Sequence, residues 1–188
     1  MIVPVFRSSY CLLFIAYFLL AFPSCKQKTD HAKEIARLDS AAVLLKEAAK
    51  VCSSVDTSAL RASFLSAKEK LQLIRQKIAS DTLEKKVVLL LSEGYEHAGN
   101  LMNLLDNKKY LARAIGEGEQ RIGDLKHDLA EDLIEKNKAG EYVVNEMKAS
   151  LRISEIVNKA IENAKTSERK LDSLKTEITH LADSLQSK

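Results

Sequence analysis

From Asp81 to Ser187 one repeat dominates the chain. Ile153, Val157, Ala160, Ala164, Ser167, Leu171, Leu174, Ile178, Leu181 and Leu185 follow one another at alternating steps of four and three. Such spacing, about 3.5 residues per turn, keeps one stripe of a long helix turned toward a partner helix. An earlier stretch carries a matching seam: Val87, Leu90, Gly94, His97, Leu101, Leu104, Lys108, Leu111, Ile115, Gly118, Ile122, Leu125 and Leu129. Pairing Leu125 with Ile153, Gly118 with Ala160 and Leu104 with Leu174 keeps one antiparallel register. That register puts the fold point at Ala139, inside Asn137-Lys138-Ala139-Gly140. Glycine suits the left-handed residue that ends a helix, so Gly140 predicts a turn there. The expected element is a long coiled-coil-like α-hairpin over residues 81–188.

The first arm carries features that favour a break. Lys108 sits on the apolar seam, and Asp106-Asn107 precedes it. Gly116, Gly118 and Gly123 follow, each costing about 1 kcal/mol relative to alanine in a helix interior. Length decides for a continuous arm. At about 1.5 Å per residue the second arm spans roughly 70 Å, and a first arm ending at Asn107 would leave it without a partner of that length.

Composition agrees with a helical chain. Of 188 residues 46% are hydrophobic and 29% charged, which suits one folded domain and not a disordered one. Both prolines, Pro4 and Pro23, precede the seams, and no alternating run reads as a strand. The fold class is all-α, an antiparallel helical bundle. The net charge is only +3, and opposite charges alternate at helical spacing, as in Glu117–Arg121, Asp132–Lys136 and Glu155–Lys159. No one-signed stripe is present, so no nucleic-acid partner is expected.

Upstream of the hairpin, Ile35, Leu38, Ala42, Leu45, Ala49 and Cys52 form one stripe, and Leu60, Phe64, Ala67, Leu71, Ile74 and Ile78 a second. Ser53-Ser54-Val55-Asp56 separates them, with Asp56 placed to cap the second helix. Facing the two stripes predicts a short α-hairpin over residues 30–80, and Asp81 with Glu84 matches a capping box opening the long arm. The segment Leu83–Leu105 is apolar over more than one face, which calls for cover on several sides. The expected packing is therefore a four-helix base, with residues 108–169 projecting from it as a two-helix stalk tipped by Gly140.

The amino terminus carries a different signal. Tyr10 to Phe22 is an unbroken apolar run after a weakly basic start containing Arg7. It falls short of the roughly 20 apolar residues that span a bilayer and matches a signal-peptide core. It ends at Phe22-Pro23-Ser24-Cys25, with Lys26-Gln27-Lys28-Thr29-Asp30 following. This segment resembles a bacterial lipoprotein signal, in which a small residue precedes a cysteine that is acylated and becomes the mature amino terminus. Phe22 and Pro23 depart from the usual residues before the cut. The resemblance implies a signal peptide over residues 1–24, lipidation at Cys25, a tether over residues 25–29 and a membrane-bound protein of the cell envelope. Lys26 stands where an Asp would retain such a protein at the inner membrane, which implies the outer one. Of the three cysteines, Cys11 would leave with the signal and Cys25 would carry lipid, so Cys52 has no partner for a disulfide.

Chemistry is sparse. Asp124-x-x-His127 and Glu177-x-x-His180 have the spacing of di-iron bundles, but both histidines fall outside the seams, where such ligands cannot face inward. His97 lies on the seam, beside Leu181 and opposite Phe64 in the expected register, with Glu93 one turn earlier and Met102 near. It reads first as a core histidine. A metal, haem or small apolar ligand near His97, with Glu93 or Met102 as second ligand, is the alternative. No Cys/His cluster, phosphate-binding glycine loop or nucleophile elbow is found, so no catalytic residue and no cofactor are expected. The sequence points to a non-enzymatic, lipid-anchored spacer or interaction module with an envelope protein as possible partner. Its expected contact surface comprises Ile115, Gly116 and Gly118, with the tip residues Lys138 and Gly140.

Overall fold

The described residues form four helices: α1 over Ala32–Ser53, α2 over Thr57–Lys77, α3 over Lys85–Ala130 and α4 over Lys136–Gln186. The computed structural model describes residues 30–78 and 84–187, and these contain no strand. The all-α bundle read from composition and periodicity is the fold. All four helices belong to one unit, Ala32–Lys188.

The long arms form as the seams predict. α3 runs unbroken through Asp106–Lys109 to Ala130. Two of its glycines sit where another helix comes close. A β-carbon on Gly94 would lie 2.7 Å from Leu71 Cδ2, and one on Gly118 would lie 2.9 Å from Leu45 Cδ1. Both positions therefore exchange helix propensity for close packing.

The fold point of the hairpin differs from the expected one. Ala139 and Gly140 lie inside α4, and the connection is Glu131–Glu135. There Asp132 adopts φ 55°, the left-handed conformation. The Leu133 amide donates to the Asp128 carbonyl at 2.9 Å and the Asp132 amide to the Leu129 carbonyl at 3.3 Å. These are the two bonds of a Schellman ending, with aspartate in the place glycine usually takes. The register follows from this turn: Arg121 meets Glu146, Asn100 meets Ser167, and Lys86 meets Glu177. Gly118 faces Ile153 and Leu45, not Ala160. A heptad seam repeats, so sliding one arm by whole repeats leaves an equally regular apolar interface. Only the turn chemistry selects among these registers.

The short hairpin does not form. α1 and α2 each pack on both α3 and α4 and make no packing contact with each other. Going up the chain, Asp39 meets Lys126, Leu45 meets Gly118, Val55 meets Lys108 and Leu71 meets Gly94. The two short helices thus lie end to end, antiparallel to α3, as one interrupted third layer along the hairpin. In place of a four-helix base with a bare stalk, three helices pack side by side along the unit. The physical reason is coverage. The buried stripe of α1 (Leu38, Ala41, Leu45, Ala48, Cys52) is needed over the turn-proximal half of the hairpin, and that of α2 (Leu60, Leu71, Ile74) over the other half. Folded against each other, they would leave one half of the long seam open to water.

The core has two parts. One, including Leu38, Leu45, Leu101, Ile122, Leu129 and Val143, extends from the turn past the middle of the hairpin. The other gathers Leu71, Ile74, Leu90, Ile178 and Ala182 at the end remote from the turn.

Candidate functional site

The break in the third layer explains the lysine on the α3 seam. α1 ends at Ser53, where the Ser53 hydroxyl donates to the Lys50 carbonyl at 2.9 Å and that of Ser54 to Val51 at 2.8 Å. Asp56 opens α2 as expected, its Oδ1 accepting from the amides of Ser58 and Ala59 at 2.9 and 3.1 Å. Between them the Val55 carbonyl has left any helical ladder, and Lys108 Nζ donates to it at 2.8 Å. Lys108 is thus a clamp on the break, joining α3 to the interrupted layer. Cys52 lies buried beside it, 3% exposed. Burial pushes its thiol above the ordinary value, against the lowering influence of the Lys108 charge. A protonated, enclosed thiol is a packing group, not a nucleophile.

His97 stands on the α3–α4 interface, half-buried, with Ser167 and not Leu181 as its partner on α4. Its Nδ1 lies 3.3 Å from Ser167 Oγ, and Asn100 Nδ2 donates to the same oxygen at 3.0 Å. Ser167, 2% exposed, is the centre of this trio. Ser167 takes the place of Leu181 because the turn, Glu131–Glu135, comes earlier in the chain than the expected fold point at Ala139. Glu93 and Met102 are exposed. Among the described residues no three His, Cys, Asp or Glu side chains come together as a metal site. The trio satisfies polar groups between two helices, which is what burial requires of them. Ser167 appears in the sequence as a seam position, and the signal of its role is a small polar residue facing histidine, visible only once the register is known. His127 and His180 are exposed, as their place outside the seams predicts.

The expected contact surface divides. Ile115 and Gly118 are buried in the core and offer nothing to a partner. They belong to the seam under α1, the layer that was expected elsewhere. Gly116 is exposed with open space around it. Lys138 is exposed and pairs with Glu135 at 3.1 Å, while Gly140 is half-buried within the first turns of α4. The true tip is Glu131–Glu135, with Leu133 68% exposed.

Cys25 and the whole segment before it lie outside the described residues. Among the described residues no helix is long and apolar enough to cross a membrane. The fold defines an all-α bundle built on a long hairpin. The chain matches no family model, no curated protein and no solved structure.

Proposed function

We propose that this chain is a non-enzymatic bacterial lipoprotein whose helical unit serves as a spacer or interaction arm in the cell envelope, moored through acylated Cys25. The amino-terminal pattern ending in Ser24-Cys25 supports the mooring, and Lys26 supports the outer membrane. The observation that carries the reading is the direction of α1. Asp39 and Lys126 pair at 2.5 Å near the hairpin turn, so Ala32 begins at that end and the chain runs away from it. Cys25 precedes Ala32 by so few residues that the extended tether reaches at most about 25 Å. The turn end of the hairpin would then face the bilayer. The other end, with Ile78, Lys85 and the close of α4, would stand roughly 70 Å away by the rise per residue. This orientation is the reverse of a stalk pointing outward from an anchored base. A near-even balance of 29 basic and 26 acidic residues suits an arm that stays in water between partners.

Two measurements test it. Cells fed an alkyne-bearing palmitate should label the native chain and not Cys25→Ala, and the variant should leave the membrane fraction. Residue-specific photocrosslinkers at Leu133 and at Lys85 should give lipid adducts from the first and protein adducts from the second. An unlabelled native chain removes the mooring, and lipid adducts at Lys85 alone invert the arm.

A further inference from the structure

Independently of any anchor, the interface between α2 and α4 is incompletely closed. Between Leu60 and Leu71 no residue of α2 is fully buried. The side chains that α2 turns toward α4 there are small: Ala62, Ser63, Ser66 and Ala67. A groove of about 550 Å³ results, within the range of small-molecule sites. Apolar carbon in its lining comes from Ala62, Ala67, Leu171 and Ile178, beside polar side chains that cover nearly as much of its surface. From Glu168 to Ile178 its α4 wall is about 15 Å long.

The two ends of the groove differ in charge. Toward the helix break stands Glu168, with Arg169 beside it. At the opposite end Lys70, half-buried, reaches across from α2 to α4, its Nζ donating to Thr179 Oγ1 at 2.7 Å. That hydroxyl in turn donates to the Lys175 carbonyl at 2.7 Å, so its single proton is committed. An ammonium carries three N–H groups, and this bond uses one of them. Lys175 adds a second cation to the same end, and neither lysine joins any ion pair among the described residues. Asp172, between the ends, is exposed and held in water.

We infer that the α2–α4 groove binds a single-chain anionic amphiphile, its alkyl chain along Ala67 and Leu171 and its head group on Lys70 and Lys175. The chain would complete the packing that the small residues of α2 leave open, and the head group would take the uncommitted ammonium donors. A medium acyl chain fits the length of the groove. Fatty acids and single-chain phospholipids share this chemistry and differ in the head group.

The test uses the full chain and photoreactive diazirine analogues of dodecanoate, dodecyl phosphate and dodecanol, with labelled residues mapped by mass spectrometry. Saturable dodecanoate or dodecyl phosphate labelling confined to residues 62–70 and 168–178 is expected, and whichever is displaced last by the other identifies the favoured head group. Lys70→Gln should lower that labelling at least tenfold, and Ala67→Trp, which fills the groove, should abolish it, with helix content and melting temperature of both variants matching the native chain. Labelling spread along the unit, equal saturable labelling by dodecanol, or labelling indifferent to both substitutions overturns the inference.

Discussion

Glycine in this chain has two opposite values, and single substitutions separate them. Gly116 and Gly123 have open space where a β-carbon would go. Alanine there should raise stability by about 0.5–1 kcal/mol at each site, through a stiffer unfolded chain and better helix propensity. Gly118→Val should do the reverse, losing about 1–3 kcal/mol to overpacking against Leu45 and Ile153. Urea denaturation of the three variants checks both signs. Cys52 supplies a pH dependence. Its folded thiol titrates above its ordinary value of 9.0, chiefly through burial. The folded state therefore holds the proton longer than the unfolded one, and stability is fully present below about pH 9 and lost as pH climbs through the raised value. Cys52→Ala should flatten this alkaline decline in melting curves recorded from neutral to strongly alkaline buffer. Asp132 completes the residue scale. Because its backbone is left-handed, a β-branched side chain is strained there, and Asp132→Val should lose of order 1–2 kcal/mol in urea denaturation.

At the scale of elements, the interrupted third layer is the feature to probe. Cysteines placed at Asp39 and Lys126, with Cys52 replaced by Ala, should be joined by a short bismaleimide, since those side chains touch. A short hairpin of α1 on α2 would leave them uncrosslinked. Asp56→Ala should cost about 1 kcal/mol by removing the carboxylate that accepts from the Ser58 and Ala59 amides at the start of α2. The periodicities of α3 and α4 were legible in the sequence, as was the Asp56 cap, because each is local. Gly118 was legible as a seam position, though its neighbours Leu45 and Ile153 were not. What could not be read was which repeat faces which. Every pairing of three-four stripes yields a regular interface, so regularity carries no information about register. Gly140 looked like a turn residue and Asp132 did not, yet aspartate tolerates the left-handed backbone, and Ile134 beside it belongs partly to the core. His97 lost Leu181 as its α4 neighbour for that reason, while Ile115 lost its expected exposure because the α1 layer covers it. Lys108, an anomaly on a seam, becomes intelligible only beside the freed carbonyl of Val55.

Taken whole, the unit is held by its apolar seams and not by its surface charges. Arg113–Glu117 and Lys138–Glu135 are exposed pairs one turn apart, a kind that contributes roughly 0–1 kcal/mol. Raising salt from about 0.1 to about 1 M shortens the screening length from roughly 10 to 3 Å. The melting temperature should move by no more than a few degrees, and a collapse of helicity in high salt would show that charge does more than this. The direction of α1 has a mechanical consequence as well. The chain enters the unit beside the turn and α4 closes at the far end, so tension drawn between Ala32 and Ser187 runs along the helix axes. Contacts loaded in that way slide against one another all at once instead of peeling apart one after another. Such an arm would resist stretch best along the single line on which its own two ends lie.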